Sequence, residues 1–150
     1  AARQALVALQ IERRQLEAAR RLLQEGLAIN PAQTAFSIAL ARIFVERRDY
    51  AAALEALQGS AAETATNAEF QAMRGNVLQR MGRHREATEA YQNALRAQPS
   101  NPHAWIGLGI SFEALAQRHE AADAFRRSLA SGPLSTELKN FAEQRIRALQ

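Results

Sequence analysis

The sequence contains no cysteine. This absence excludes disulfide bonds, cysteine-ligated zinc and thiol nucleophiles, because all three require sulfur. The three histidines, His84, His103 and His119, lie at unrelated spacings, so the sequence predicts no metal site and no cofactor. It also lacks a phosphate-binding glycine loop and a serine–histidine–aspartate pattern. The chain is therefore expected not to be an enzyme.

Aromatic residues are scarce at 6%, and only four prolines and seven glycines occur in 150 residues. This composition argues against a disordered or collagen-like chain, and the abundant alanine favours closely packed helices over a sheet. A chain of this length can bury one core. No apolar run reaches membrane-spanning length, since Arg42 interrupts the strongest one. The chain begins without methionine and already in a helical pattern, so we expect it to be part of a longer protein.

Charges of both signs are mixed along the sequence. The 19 basic residues, all arginine except Lys139, exceed the 15 acidic residues by four. Pairs such as Glu17 and Arg21 at i,i+4 are typical of solvated helix surfaces. The sequence shows no basic stripe interleaved with aromatic residues, so nucleic-acid binding is not expected.

A period of 34 residues runs through the chain. Proline recurs at Pro31, Pro99 and Pro133, with Ala65 in the remaining slot. Counting back from each of these slots gives columns of similar side chains. Small residues fill two columns: Ala19, Ala53, Ala87, Ala121; and Gly26, Ser60, Ala94, Ser128. Two further columns hold Leu23, Leu57, Tyr91, Phe125; and Val7, Ala41, Gly75, Gly109. Small residues allow helices to cross closely, so each period predicts a pair of packed helices.

Helix boundaries follow from this grid. First helices are predicted at 2–13, 35–47, 68–81 and 102–115, and second helices at 16–29, 50–58, 84–97 and 118–131. The turns between them fall at 13–15, 47–49, 81–83 and 115–117. Three helix N-caps are predicted. They are Asn101, which is followed by Pro102 at the first helical position; Ser135; and Thr66, with Glu69 as its capping-box partner. The second unit has Gly59-Ser60 and no proline, which predicts a short second helix and a loose connection near 59–66.

The 34-residue helix–turn–helix unit resembles the tetratricopeptide repeat. The signature slots are best filled in the last unit, by Trp105, Leu108, Gly109, Phe112, Ala121, Phe125 and Pro133. Gln71 and Arg74 depart from the pattern, in the slots of Trp105 and Leu108. The resemblance implies one all-α domain, a right-handed α-α superhelix of four repeats (1–33, 34–67, 68–101 and 102–135), with a capping helix over 136–150.

Several segments also resemble the C-terminal region of the MSHA-type (type IV) pilus biogenesis protein family. The resemblance is carried by LQEGLAINP, LARIFVERRDYAAAL, GRHREATEAYQNALRAQPS and GLGISFEAL…SLASGPLSTELKNFAEQRI. It implies a bacterial periplasmic scaffold that contacts other pilus assembly components, with an inner-membrane anchor outside this sequence.

In such a superhelix the first helices line a concave groove. The positions expected to point into it are Ile38, Arg42, Val45, Glu46, Met73, Asn76, Gln79, Arg80, Ile106, Ile110 and Glu113. This mixture suits a peptide or helix with apolar anchors, and Arg42 and Arg80 suit a partner carboxylate. Alternatively, Ile38 and Ile106 only complete packing between repeats. The groove has Asn76 but lacks the lysine of chaperone-binding members.

The function expected from the sequence is protein binding without catalysis, in pilus biogenesis and in the periplasm. Two alternatives stay open: a generic cytoplasmic adaptor or co-chaperone, and a regulatory or targeting domain of a larger enzyme. Self-association through the first unit is a further possibility. The sequence does not identify the partner.

Overall fold

The computed structural model describes residues 31–58 and 66–150, together with Arg13, Arg14 and Glu17. Across these residues the protein is all-helical. The helices are α1 Pro31–Glu46, α2 Tyr50–Ala56, α3 Ala68–Arg80, α4 His84–Ala97, α5 Pro102–Ala114, α6 Arg118–Ser131 and α7 Thr136–Leu149. Arg13, Arg14 and Glu17 are helical, so the turn predicted at 13–15 is wrong for Arg13 and Arg14. The rest of the predicted helices 2–13 and 16–29, Gln15 and residues 59–65 of the predicted loose connection lie outside the described residues.

The helices form stacked hairpins. α1 packs on α2, α3 on α4 and α5 on α6, while α7 packs on α6. Successive hairpins touch through α4 and α5, and through the first helices, α1 with α3 and α3 with α5. This arrangement confirms the helix pairs predicted from the 34-residue period for the described part of the chain.

Small residues lie where the helices cross. Ala53, Ala87 and Ala121 are fully buried. A Cβ atom added to Gly109 would lie 2.8 Å from Cε1 of Phe125, and one added to Gly75 would lie 2.9 Å from Cδ2 of Tyr91. The large and small columns of the period therefore pack against each other, as predicted.

The turn inside each of the three described hairpins uses one left-handed residue. Arg48, Gly82 and Ala116 have φ values of 60°, 77° and 60° and are spaced by the repeat length. The residue after each of them donates its N–H to a carbonyl five residues earlier: Asp49 to Phe44, Arg83 to Leu78 and Gln117 to Phe112, each at 2.9 Å. These bonds satisfy the last carbonyls of the first helix and turn the chain into the second.

One predicted helix start and one predicted N-cap are wrong. α1 begins at Pro31, four residues before the expected start, because a proline in the first turn loses no helical hydrogen bond. The N-cap of α3 is Asn67 rather than Thr66: Asn67 Oδ1 accepts a 2.9 Å bond from the Phe70 N–H. Asparagine is as strong a cap as threonine or stronger. The predicted caps Asn101 and Ser135 are confirmed.

The second helix of the second unit is short, as predicted. α2 has seven residues, whereas α4 and α6 have 14 each. Asp49 caps its start by accepting a hydrogen bond from the Ala52 N–H at 3.2 Å. The helix ends at Ala56, just before Gly59-Ser60 in the sequence.

The last helix, α7, covers the open side of the final hairpin. Ala142 is fully buried, and the ring of Phe141 meets that of Phe125 edge to face, with centroids 5.9 Å apart. This contact confirms the predicted capping helix. Among the described helices, none has the length and apolar character needed to cross a membrane.

Candidate functional site

The helices α1, α3 and α5 lie side by side. We call the surface formed by their predicted groove residues the first-helix face. α3 and α5 are joined across it by Gln79, whose Nε2 donates to the Gly107 carbonyl at 2.8 Å and to Ser111 Oγ at 2.9 Å. α1 and α3 are joined by an ion pair between Arg42 and Glu69 at 3.4 Å. The groove residues predicted from the sequence belong to these three helices.

Ile38 and Ile106 do not line an open groove, so their assignment to it is wrong. They are only 4% and 6% exposed and lie in buried clusters. Ile106 packs with Phe125 of α6 and Ala142 of α7, because the capping helix occupies the place that a further repeat would take. Both isoleucines therefore stabilise the stacking of repeats.

The other apolar positions are half-buried. Val45 and Met73 pack against the buried cluster shared by α1, α2 and α3, and Ile110 packs against the cluster under α7. Each can offer an edge to a partner, but none forms a deep apolar anchor site.

Gln79 and Glu113 are engaged between helices. Glu113 receives two hydrogen bonds from the Arg145 guanidinium of α7, one of them of 2.9 Å from Nε. The hydrogen bond to Glu113 raises the pKa of Arg145 above its ordinary value, which keeps this guanidinium charged. These two positions hold the first-helix face together and are not free to bind a partner.

On the first-helix face Arg42, Glu46 and Arg80 are exposed and Asn76 is half-buried. Arg80 Nε donates to Asn76 Oδ1 at 3.3 Å, and its guanidinium carbon lies 6.0 Å from the Tyr50 ring centroid. The Arg42–Glu69 pair is weak, because both side chains are more than half exposed. The two guanidinium groups are therefore available to an incoming carboxylate, with Asn76 between them in sequence as an additional polar contact.

Arg80 also affects the buried phenol of Tyr91. Burial raises the pKa of Tyr91 above its ordinary value, and the positive charge of Arg80 offsets only part of that rise. Tyr91 therefore stays protonated at neutral pH and acts as a packing residue against Gly75 and Gly107.

A cavity of about 490 Å³ lies on the other side of α5 and was not predicted from the sequence. It is bounded by α4, α5 and α6, and we call it the second-helix cavity. Its lining residues are Gln92, Leu95, Arg96, Trp105, Leu108, Phe112, Glu120, Asp123, Ala124 and Arg127. The signal for it in the sequence is Trp105, the single tryptophan of the chain, which fills a signature slot.

No group of three or more histidine or acidic side chains able to hold a metal occurs in the described ranges 31–58 and 66–150. His103 and His119 are exposed on separate helices. His84 is half-buried, with Nδ1 3.2 Å from Ser111 Oγ, so it extends the hydrogen-bonded group around Gln79.

Comparisons with known proteins agree with this architecture. Solved structures with the same fold include the Sgt2 tetratricopeptide domain of Aspergillus fumigatus (TM-score 0.71, 19% identity, 81% of this chain and 82% of that one). They also include the second such domain of human RPAP3 in complex with the HSP70 peptide SGPTIEEVD (TM-score 0.69, 19% identity, 79% of this chain and 95% of that one). A third is the Yersinia enterocolitica type III secretion chaperone SycD in complex with a peptide of the translocator YopD (TM-score 0.71, 15% identity, 80% of this chain and 94% of that one).

Family membership rests on a separate comparison. Among curated protein sequences, none matches the chain significantly. The tetratricopeptide repeat-like domain profile matches residues 1–117, which is most of the chain. The protein therefore belongs to the tetratricopeptide repeat-like domain family.

Proposed function

We propose that the chain is a non-catalytic scaffold whose first-helix face binds an acidic segment of a partner protein. One observation carries the proposal: the apolar groove candidates are buried or half-buried, whereas Arg42 and Arg80 are exposed, with the half-buried Asn76 on the same face. A guanidinium pairs with a carboxylate through two parallel hydrogen bonds, which gives both strength and orientation. The weak pair between Arg42 and Glu69 is readily exchanged for such a ligand.

The structural neighbours support a peptide-binding role. The RPAP3 domain was solved with SGPTIEEVD, whose last four residues include three acids. SycD was solved with a peptide of another protein, YopD. Peptide binding on the same fold supports an interaction role here, and the arginines of this chain favour an acidic ligand.

The proposed chemistry can be tested with a defined probe. Fluorescence anisotropy would compare labelled SGPTIEEVD with SGPTIQQVN, in which glutamine and asparagine replace the acids. We expect the acidic peptide to bind at least tenfold more tightly, because its three side-chain carboxylates can pair with Arg42 and Arg80, whereas the C-terminal carboxylate is common to both peptides. The Arg42→Glu/Asn76→Ala variant should lose this preference while its melting temperature stays nearly unchanged, because both side chains contact solvent.

Arg85→Glu is the matched control, because Arg85 is an exposed arginine on α4 away from the first-helix face. It should bind the acidic peptide as the parent does. Equal binding of the two peptides, or undiminished binding by the double variant, would contradict the proposed site.

For the cellular role, we propose the biogenesis of an MSHA-like type IV pilus, with the domain in the periplasm and anchored to the inner membrane. The resemblance of residues 23–31, 40–54 and 82–100 to that family supports this setting.

A photo-reactive residue at position 76 of the full-length protein should crosslink to pilus assembly components in the source cell. Gene deletion should reduce the number of surface pili. Crosslinks only to cytosolic chaperones would instead favour a co-chaperone or adaptor.

A further inference from the structure

The second-helix cavity has an apolar floor. Trp105, Leu108 and Phe112 of α5 form its base, and Leu95 and Ala124 form its walls. Trp105 directs its polar edge away, because its Nε1 donates to the Pro99 carbonyl at 3.0 Å. The indole is only partly buried, so an apolar surface remains to be covered. A volume of about 490 Å³ falls within the range of pockets that bind ligands.

The two rims of the second-helix cavity carry opposite charges. On α6, Asp123 and Arg127 form an ion pair at 2.9 Å, with the guanidinium 5.2 Å from the Trp105 ring centroid, so these two charges cancel. Glu120 on the same rim has no ion-pair partner among the described residues. Arg96, on the α4 rim, is bonded only to the neutral Asn93, at 2.7 Å. One rim thus presents an uncompensated negative charge and the other an uncompensated positive charge.

This combination does not occur one repeat earlier. There Gln71 and Arg74 take the places of Trp105 and Leu108, so the corresponding floor is polar. Glu86 takes the place of Glu120 and accepts two hydrogen bonds from Arg83, which lower the pKa of Glu86. Of these two junctions between repeats, only the last combines an apolar floor with free rim charges.

We propose that the second-helix cavity is a second docking site, which binds a short segment of a partner protein carrying an apolar side chain between a basic and an acidic residue. The apolar side chain covers Trp105, the basic residue pairs with Glu120 and the acidic residue pairs with Arg96. Trp105, Leu108 and Phe112 lie on a different side of α5 from Ile110 and Glu113, as the helical period requires. The protein can therefore hold one partner on the first-helix face and another in this cavity, and the second site does not depend on the first.

The test starts from a displayed library of random 12-residue peptides without tryptophan. The library is selected on the Arg42→Glu/Asn76→Ala variant, so that the first-helix face does not contribute. Selected peptides are synthesised and titrated while Trp105 fluorescence is recorded, since this is the single tryptophan of the chain. We expect the selected sequences to share an apolar residue flanked by opposite charges and to change the Trp105 emission on binding.

Charge variants then locate the site. Glu120→Lys and Arg96→Glu should each weaken binding at least tenfold, and the Glu120→Lys/Arg96→Glu swap should prefer peptides with the flanking charges exchanged. Glu89→Lys is the matched control, an exposed glutamate on α4 outside the cavity, and should change binding less than twofold. All these side chains are exposed, so circular dichroism should show unchanged folding.

Three results would overturn the proposal. The first is selection of peptides whose binding ignores Glu120 and Arg96. The second is selection of purely acidic peptides, because such peptides would bind arginines outside the second-helix cavity. The third is a dimer, detected by light scattering, that Glu120→Lys dissociates, because the occupant would then be a second copy of this chain.

Discussion

Gly109 and Phe125 show how single residues set the distance between helices. The ring of Phe125 lies where the side chain of residue 109 would begin, and Tyr91 stands in the same relation to Gly75 one repeat earlier. A core of this kind has no room for an added methyl group, because protein interiors are packed as densely as organic crystals. These glycines are therefore packing residues.

Gly109→Ala should destabilise the fold. The added Cβ would lie 2.8 Å from a Phe125 ring carbon, so the ring or α5 must shift, which costs about 1–3 kcal/mol of the free energy of unfolding. Urea denaturation followed by circular dichroism would measure the loss. Gly132→Ala is the control, since its Cβ would lie 3.4 Å from Pro102 Cδ and its backbone is extended. Equal losses in both variants would show that close packing at Gly109 is not the cause.

The sequence predicted these packing residues, because a small side chain recurring every 34 positions is typical of a close helix crossing. It did not predict which apolar residues of the first helices stay exposed to solvent. Ile38 and Ile106 occupy the same repeat position, and both lie off the columns that the period identified as core. Their burial depends on the neighbouring repeat and on α7, which the pattern within one repeat does not describe.

At the scale of helices and turns, one left-handed residue follows each of the first helices α1, α3 and α5. Among these three described turns, the third unit uses glycine, Gly82, whereas the second and fourth use Arg48 and Ala116. A residue with a Cβ loses roughly 1–2 kcal/mol in this conformation. All three turns have the same hydrogen bonds, so they differ mainly in the backbone strain of the left-handed residue.

Replacing Ala116 by glycine should stabilise the protein by about 0.5–1 kcal/mol, because relief of the left-handed strain exceeds the extra entropy of glycine in the unfolded chain. Gly82→Ala should have the opposite effect of similar size. Chemical denaturation midpoints would measure both changes. Opposite signs are the essential outcome; a loss in both variants would mean that packing, and not backbone strain, governs these turns.

Helix existence and pairing were predictable from the sequence, and helix starts were less so. The start of α1 at Pro31 was missed because proline was interpreted only as the end of a preceding helix, although it is equally suited to a first turn. Thr66 and Asn67 are adjacent potential caps, and the register of α3 selects Asn67. Local pattern alone does not distinguish such neighbours.

At the scale of the molecule, one pair of repeat positions joins neighbouring helices in the series α1, α3, α5 and α7, and we call these pairs the inter-repeat ladder. Gln79 bonds to Ser111, and 34 residues later Glu113 bonds to Arg145. The equivalent positions one repeat earlier are Val45 and Val77, which belong to one apolar cluster. The same place in the stack is thus filled by an apolar, a polar and an ionic contact.

Reversing one charge of the ionic pair should lower the melting temperature. Glu113→Arg would set two guanidinium groups against each other where α5 meets α7. The exchanged pair Glu113→Arg/Arg145→Glu should regain most of the loss, and thermal unfolding of the single and double variants would form a double-mutant cycle. A double variant as unstable as the sum of the two single variants would show that the two residues do not act as a pair.

The differing contacts of the inter-repeat ladder also fix the order of the hairpins. If α1 stacked directly on α5, Val45 would face the Ser111 hydroxyl and leave it without Gln79. If α3 stacked directly on α7, Gln79 would take Arg145 away from Glu113. Out-of-sequence stacking is therefore disfavoured, because it would leave the buried Ser111 or the half-buried Glu113 without its partner.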